Sequence, residues 1–308
     1  MAKVVGIGAA VFDILMTANA FPKEDTKLQA TETKLQCGGP CATALVAMSK
    51  LGELVCYIGT VGNDMYGDFI RSEMAKYGVD ISNVEVVPGS SFHSFVLLNT
   101  SNTSRTCIWN RGNAAQPTEK NVDLEVLKNA KYLHLDGNQL DCAIYAAKKA
   151  KEFGVTVSLD AGGTYPGIEK LLPLVDVLIP SEEFSLKITG CETAVEAAKV
   201  LQEKYAPEIL IITQGSKGGF IWENGREIRY PVFPVKAIDS NGAGDTFHGA
   251  FVVGQLKGMS VYESCCFASA ASALKCTRFG AQEGIPCYED VMEFIKSNDR
   301  IIDPNSKS

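Results

Sequence analysis

Short apolar runs, each followed by turn residues, alternate along this chain with stretches of helical periodicity. Continuous apolar runs of this length are typical of strands buried on both faces of a parallel sheet, and six of them occur: KVVGIGAAV, LVCYIGTVG, KYLHLDG, VTVSLDAGG, VDVLIPSEE and EILIITQGS. Amphipathic stretches cover residues 41–51, 66–77, 142–153, 193–205 and 245–256. Parallel strands require long crossover connections, which are usually right-handed helices. The alternation therefore predicts an α/β fold with a doubly wound, mostly parallel sheet flanked by helices.

Two segments do not follow this alternation. Residues 13–35 and 91–111, the second reading SFHSFVLLNTSNTSRTCIWNR, carry the alternating, β-branched pattern that is typical of hairpin strands. We expect them to form a small β-sheet that covers the α/β domain as a lid, with residues 1–12, 36–90 and 112–308 forming the domain itself. Exposed lid strands have open edges that usually need a partner, so we also expect a homodimer through the lids.

Charge and hydrophobicity point to a small-molecule substrate. The formal net charge is −7 and no long basic run is present, which argues against nucleic acid or an acidic membrane surface as the partner, because both attract clustered Lys and Arg. No apolar run reaches the roughly 18 residues that a membrane-spanning helix needs. The first residues, MAKVVGIGAAVFDIL, lack the charged region and cleavage site of a signal peptide. We therefore expect a cytoplasmic protein that binds neither nucleic acid nor membranes.

The stretch DSNGAGDTFHGAF, residues 239–251, carries the clearest chemical signal. Gly242, Ala243 and Gly244 let the backbone approach a ligand closely, and the helix that follows presents free N–H groups and the positive end of its dipole to an anion. Asp245 lies at the start of that helix. A carboxylate beside an anion site makes chemical sense if it removes the proton of a hydroxyl that attacks a phosphoryl group. On the Asp and Gly pattern alone, a simple helix N-cap after a glycine turn is an equally good interpretation.

The wider sequence favours the first interpretation. GAGDTF, with Asp239 six residues before Asp245, resembles the signature of the ribokinase-like (PfkB) carbohydrate kinases, and GGPCATALVAMSKLG, residues 38–52, resembles that family's N-terminal signature. TVGNDMYGDF, ITQGSKGG and TRFGAQEGIP extend the likeness over nearly the whole chain. The resemblance implies Mg2+-dependent phosphoryl transfer from ATP to a hydroxyl of a sugar or nucleoside, on an α/β domain with a small β-lid.

The resemblance also assigns roles to residues. It implies that Asp245 is the general base and that Gly242, Ala243 and Gly244 form the anion hole. It further implies that the loop TQGSKG and a helical serine bind the nucleotide, through Thr213, Gly215, Ser216, Gly218 and Ser269. An ordinary hairpin turn is the alternative interpretation of TQGSKG.

Sugar recognition is expected from two glycines and two acids. Asp13 directly follows an apolar strand, where a charge is awkward unless it faces a pocket, and a carboxylate can accept two sugar hydroxyls. Gly38 and Gly39 allow backbone amides to reach the ring. FPKEDTKL resembles the lid strand of ketohexokinase and related fructose-type kinases, which implies that Asp25 is a second hydroxyl acceptor. A solvated turn is the alternative for Asp25.

Departures from the family pattern bear on the substrate. Thr43, also expected to contact the sugar, stands where the first signature usually has Asn, and the ribokinase glycine-lysine form of that signature is missing. These differences favour a ketose such as fructose. A ribokinase, or a nucleoside kinase with Phe12, Phe92 and Trp109 clamping the base, is the alternative within the family, and a sugar-binding sensor on a kinase scaffold is the alternative without catalysis. SEEF, residues 181–184, replaces the family's Asn-x-x-Glu, so no residue is assigned to magnesium.

The resemblance also implies a monovalent cation site. The spacing between Ser269 and Gly284 matches ribokinase without a gap, and hard oxygen ligands suit potassium. The ligands would be the Asp239 side chain and the backbone carbonyls of Asn241, Lys275, Arg278, Gly280 and Gly284. A cation there would fix the loop beside the anion hole. The alternative is that Asp239 only caps its turn and the loop binds nothing.

Overall fold

The computed structural model describes residues 1–102 and 104–302 of the chain. The strands in this part are, in chain order, β1 (Val4–Ile7), β2 (Val11–Ala18), β3 (Glu32–Gly38), β4 (Val55–Tyr57), β5 (Gly59–Gly62), β6 (Val84–Val87), β7 (His93–Asn99), β8 (Arg105–Asn110), β9 (Tyr132–Leu135), β10 (Thr156–Ala161), β11 (Val177–Pro180), β12 (Ile209–Thr213), β13 (Gly219–Glu223) and β14 (Arg226–Tyr230). The helices are α1 (Pro40–Lys50), α2 (Met65–Lys76), α3 (Leu124–Lys128), α4 (Leu140–Phe153), α5 (Glu182–Thr189), α6 (Ala194–Tyr205), α7 (Ala243–Leu256), α8 (Val261–Cys276), α9 (Tyr288–Ser297) and α10 (Asp299–Ile302).

The main sheet has the order β14-β13-β12-β11-β10-β9-β1-β4. Neighbouring strands from β4 to β12 run parallel, and β13 and β14 extend one edge as antiparallel hairpins. All six predicted apolar runs contribute a strand to this sheet. LVCYIGTVG divides between two sheets, because its second half leaves as β5 and pairs with β6. The predicted doubly wound α/β class is confirmed.

Helices cover both faces of the main sheet. Adjacent residues of β11 illustrate this, since Ile179 packs in a core with α1, α7 and α8, whereas Leu178 packs in a second core with α4 and α6. Side chains of a strand alternate between faces, so a strand with apolar residues at every position is buried on both sides. The arrangement leaves the carboxyl ends of the parallel strands as the free rim of the sheet, where α/β proteins bind their ligands.

The second sheet contains the strands predicted for the lid, in the order β3-β2-β7-β8. Strands β2 and β7 are parallel, and the outer pairs are antiparallel. The ladder starts at Val11 and ends at Gly38, so the sheet extends beyond the expected segment 13–35 at both ends. Its strands pass directly into β1 and α1, which anchors the sheet beside the rim of the main one. None of the helices in the described ranges is long and apolar enough to cross a bilayer.

Candidate active site

The second sheet contacts the loops at the rim through polar side chains. Arg105 of β8 donates to the Asn241 side chain at 2.5 Å, and the Gln36 side chain of β3 accepts from the Ala281 amide at 3.1 Å. Lys34 of β3 forms an ion pair with Glu283. These contacts join the lid to the loops on either side of the GAGD turn, so the sheet lies over the point where Asp245 is held.

Asp245 is in the first turn of α7, where it is only partly exposed. Gly242 caps the helix in a left-handed conformation, with φ of 79°, which glycine adopts without strain. Burial and the nearby Asp160 carboxylate raise the pKa of Asp245 to about 7, and His248 and Arg105 limit the rise. A carboxylate with a pKa near the working pH suits the task of a general base.

The backbone amides around Asp245 divide into free and occupied donors. The Ala243 amide donates to the Ser240 carbonyl at 3.2 Å, so it closes the turn. The amides of Gly242 and Gly244 have no hydrogen-bond partner within residues 1–102 and 104–302. Gly244 is exposed, with open space where a Cβ would lie. Two of the three expected donors are therefore without a partner in the described residues, and the third becomes so only if its turn hydrogen bond is exchanged.

A large cavity lies beside these amides. It has a volume of about 490 Å³, and Ala243 and Gly244 form part of its wall. All five residues expected to bind the nucleotide also line it: Thr213, Gly215, Ser216, Gly218 and Ser269. The Ser269 hydroxyl donates to the Pro231 carbonyl oxygen at 2.8 Å, so it helps to hold the cavity wall in place. A cavity of this size with mostly apolar walls is typical of a small-molecule or cofactor site.

The expected sugar side is polar and tightly packed. Asp13 is buried on β2 and accepts a hydrogen bond from the Ser94 hydroxyl of β7 at 2.6 Å. Burial raises the pKa of Asp13 to about 6, and the hydrogen bond from Ser94 and the charge of Arg105 limit the rise. A Cβ at Gly38 would lie 2.0 Å from Asp13 Oδ2. Only glycine therefore fits at position 38 while Asp13 keeps this orientation.

Gly39 and Thr43 belong to the first turns of α1. Gly39 caps the helix with φ of 92°, and a Cβ there would lie 2.5 Å from the Ala9 carbonyl. Thr43 has no exposed surface, and its hydroxyl faces the Gln282 amide group at 3.5 Å. Gly39 thus sets the entry of the chain into the helix, and Thr43 packs below the site rather than in its surface.

The structure does not bring Asp25 to the site. Asp25 lies in an exposed turn with φ of 58°, inside the segment between β2 and β3. Asn and Asp are the non-glycine residues that tolerate this conformation best. The solvated turn, considered above as the alternative, describes its position.

The expected potassium loop is assembled differently from the expectation. Asp239 is buried, and its carboxylate accepts from the amides of Asn241 at 2.8 Å and Gly280 at 2.9 Å. The ammonium group of Lys275, which was expected to contribute only its carbonyl, lies 2.8 Å from the Asp239 carbonyl oxygen. The carbonyl oxygens of Lys275 and Gly280 accept from the amides of Arg278 and Gly284, at 3.1 Å and 3.4 Å. The expected potassium site thus already contains the ammonium group of Lys275, and its atoms fit a bound potassium ion poorly.

Sequence reasoning missed two carboxylates at the rim. Asp160, at the end of β10, lies 3.2 Å from His248 of α7. Asp136, just after β9, accepts from the amides of Ala9, Cys41 and Asn138, at 2.7 Å, 3.1 Å and 2.9 Å. The signal was present in LDG and LDAGG, where an acid ends a parallel strand. The contact between His248 and Asp160 shows that His248 bears on the charge around Asp245.

Comparison with known proteins identifies the family of this chain. A profile described as pfkB family carbohydrate kinase matches residues 1–287. The chain belongs to the pfkB family. Relatives of this family member include the ribokinase of Haemophilus influenzae, 31% identical over 307 residues with 94% of this chain and 97% of the relative covered. The deoxyribokinase of Salmonella typhi is 27% identical over 302 residues, with 95% and 98% covered.

Solved structures show the same ribokinase-like fold. Arabidopsis thaliana ribokinase complexed with ribose and ATP superposes with a TM-score of 0.84 at 28% identity, covering 96% of this chain and 99% of that one. A structure described as ribokinase II from E. coli, in complex with ATP and Mg2+, gives a TM-score of 0.85 at 25% identity, covering 96% and 100%. This pfkB family member is therefore a phosphotransferase that acts on a sugar hydroxyl. The expected preference for a ketose finds no support in these relatives, which are named for ribose and deoxyribose.

Proposed function

We propose that the chain transfers the terminal phosphoryl group of ATP to a hydroxyl of an aldopentose such as ribose. The observation that carries the proposal is the position of Asp245, with two free amides beside it, where a nucleotide-sized cavity meets the polar sugar side. Gly244 lines the cavity, and Arg105 lies close enough to both Asp13 and Asp245 to lower the pKa of each carboxyl against the effect of burial.

In the proposed reaction, Asp13 accepts hydroxyl groups of the sugar and orients the ring. Asp245 then removes the proton of the attacking hydroxyl as the new bond to phosphorus forms. The amides of Gly242 and Gly244 hold the charge that develops on the transferring group, an effect worth about 3 to 4 kcal/mol for one such donor in other enzymes. The lid excludes water, so that ATP is not hydrolysed.

Magnesium would neutralise charge on the phosphates of ATP. Within the described residues no cluster of three or more acidic, His or Cys side chains is placed to hold a metal ion, which suits Mg2+, because this ion is usually bound by substrate phosphates, water and one or two carboxylates. Glu182 is the acid beside the nucleotide loop, where it accepts from the Gln214 side chain at 2.7 Å. Phe184, in the place of the family's Glu, is buried in the core. We assign Glu182 to the water shell of the metal.

The aldopentose is favoured over a ketose because the ribokinase and deoxyribokinase reported above match nearly the whole chain and are named for ribose and deoxyribose. A nucleoside is the second candidate, and one observation favours it. Trp109 of β8 is directly opposite Ser94, on the face of the lid that carries Asp13, and 62% of its surface is exposed. An exposed aromatic ring beside a hydroxyl acceptor could stack on a base.

A coupled assay of ADP formation with ribose, deoxyribose, fructose and adenosine tests the function. We expect the highest kcat/KM with an aldopentose, and loss of that activity in Asp245→Asn. Adenosine as the best substrate, with Trp109→Ala raising its KM selectively, would favour the second candidate. ADP formation that is unaffected by Asp245→Asn would overturn the assignment of the base.

We also propose a homodimer that associates through the lids. The outer face of the second sheet is apolar, with Ile14, Phe95 and Ile108 side by side, and it forms a hollow of about 200 Å³ together with Phe21 and Leu28. Ile108 is 64% exposed and Phe21 54%. An exposed apolar face of this kind is typical of an interaction site. Light scattering of the wild type and Ile108→Asp tests it, with a dimer and a monomer expected; a monomeric wild type contradicts the proposal.

A cytoplasmic location is proposed from the cysteines. All ten are free thiols, and unpaired cysteines are typical of reducing compartments.

A further inference from the structure

Lys275 is a lysine without exposed surface. It lies in the last turn of α8, and its side chain is completely buried. Its ammonium group donates to the Asp239 carbonyl oxygen at 2.8 Å and lies 3.9 Å from Asp239 Oδ2. Lysine is almost never fully buried unless it is paired, because the desolvation of its charge is costly. A buried ammonium at this position therefore calls for a function that offsets the cost.

Asp239 is the residue through which Lys275 reaches the anion hole. The two carboxylate oxygens of Asp239 bind the amides of Asn241 and Gly280, so they connect the segment before Gly242 with the loop after α8. That loop supports the anion hole directly, because Ala281 lies against Gly242, with atoms 3.1 Å and 3.2 Å from where a Cβ would be. A charge that fixes Asp239 thus fixes both sides of the turn that presents the free amides.

Electrostatics connect the same groups. Burial lowers the pKa of Lys275, and the carboxylates of Asp239 and Asp245 oppose this change. The Lys275 ammonium group thus interacts electrostatically with Asp245, the proposed general base, as well as with Asp239 in the loop. Arg105, a cation on the lid side of the turn, donates to the Asn241 side chain and is exposed, so it does not replace a charge beneath the turn.

We propose that Lys275 is a built-in monovalent cation that organises the anion hole, in place of a bound potassium ion. An ammonium group has the same charge as potassium and, like potassium, binds oxygen ligands, here the Asp239 carbonyl oxygen, and its covalent tether keeps it at the site at any salt composition. Lys275 is in this role a positioning residue that acts through Asp239. The inference rests on the proposed function, since it concerns the site that binds the phosphoryl group, and it predicts an enzyme that does not depend on potassium.

The first experiment uses the wild type. Activity and the melting temperature are measured in KCl, NaCl and tetramethylammonium chloride at equal ionic strength. We expect turnover to agree within about 2-fold and the melting temperature to be the same in KCl and NaCl, because a protein without a potassium site gains no stability from the ion by linkage. Activation by potassium of about 5-fold or more, or a rise in melting temperature specific to potassium, would overturn the proposal.

The second experiment removes the tethered charge. In Lys275→Ala we expect kcat to fall by about 10-fold or more with little change in the KM of the sugar, since the anion hole acts on the transition state. Potassium or ammonium ions, but not lithium, should restore part of the activity and raise the melting temperature of the variant. A purely structural lysine would not give rescue that depends on the ion. A folded Lys275→Ala without any such rescue contradicts the proposal.

Two controls separate the possible failures. Lys296→Ala removes an exposed lysine from the last turn of the neighbouring helix α9 and should leave activity and salt response unchanged. If Lys275→Ala does not fold, the activity and the melting temperature of the wild type in the three salts still test the proposal. A wild type that phosphorylates no sugar refutes the proposed function, whereas its melting temperature in the three salts still tests whether potassium binds.

Discussion

The cleft has two differently built sides, which we propose bind the nucleotide and the sugar. The nucleotide side is an open cavity of about 490 Å³, with backbone loops and apolar walls. On the sugar side, Asp13 is buried, bonded to Ser94 and packed against Gly38 without room for a methyl group. Backbone and apolar contacts tolerate changes of side chain, but a buried polar group that loses its partner pays the full cost of desolvation. Single substitutions should therefore have large effects on the sugar side and small ones on the nucleotide side, and Asp245, between the two, should affect turnover alone.

The largest effect is expected at Asp245. Asp245→Asn keeps the shape of the side chain but cannot accept the proton, so kcat should fall by about 100-fold or more while the KM values of sugar and ATP change little. Steady-state kinetics measure this. Asp68→Asn, in the exposed first turn of α2, is the matched control and should be neutral. A large rise in KM instead of a fall in kcat would place Asp245 among the binding residues.

Asp13 should show the opposite pattern. Asp13→Asn exchanges an acceptor of two hydroxyls for an amide that accepts only through its oxygen, so the KM of the sugar should rise by about 10-fold or more, with little effect on the KM of ATP. Kinetics with each substrate varied in turn measure the difference. Equal changes in both KM values would mean that the two sides are coupled through the lid.

A pair of glycine substitutions compares the two sides directly. Gly38→Ala would place its Cβ 2.0 Å from Asp13 Oδ2, so Asp13 must move and the KM of the sugar should rise by about 10-fold. Gly244→Ala, in the helix with open space at the Cβ position, should change the KM of ATP by only about 2-fold to 3-fold and add slightly to helix stability. Comparable defects in the two variants would contradict the proposed difference between the sides.

The pH dependence should separate the two acids. The pKa of Asp245 is raised to about 7 and that of Asp13 to about 6. Because the base must be ionised, kcat should rise with pH through about 7, whereas the KM of the sugar should worsen only below about 6. Rate profiles of the wild type and Asp13→Asn measure both effects. If kcat and the KM of the sugar changed with pH at a single common pKa, the result would contradict separate roles for Asp245 and Asp13.

The smallest effect is expected in the thermal stability of Asp245→Asn. A carboxyl whose pKa is raised in the folded state stabilises the fold below its unfolded pKa, near 4, and loses this contribution as the pH rises through about 7. Asp245→Asn should therefore melt a few degrees above the wild type at pH 8, with the difference shrinking towards pH 5. Thermal unfolding at both values measures it. A difference that does not change with pH would mean that Asp245 does not titrate between them.

Several parts of this protein could be predicted because their signal is local. The apolar runs predicted the main sheet, since a strand buried on both faces must be apolar at every position. The GAGD turn predicted an anion site at Asp245, because glycines and a helix start are visible in sequence. The signature loops indicated residues that line the cavity beside the GAGD turn. At Asp25 the local signal predicts a turn, but a turn motif does not say which way the turn faces.

Other parts depend on contacts between distant residues. Asp160 and His248 are 88 positions apart, and only the packing of α7 against β10 places them 3.2 Å from each other. Thr43 is fully buried and contacts Gln282, which is 239 positions away. At Lys275 the sequence suggested a carbonyl ligand for potassium, and the direction of the side chain made it a cation instead.

The sequence by itself determined the layers of the fold, the order of the signatures and the glycine turn in front of Asp245, because each follows from periodicity or from short-range backbone chemistry. Tertiary structure alone decided which donors are free, how strongly Asp13 and Asp245 hold their protons, and where the buried ammonium lies. Burial and charge act through space, so they depend on neighbours that the order of residues along the chain does not name.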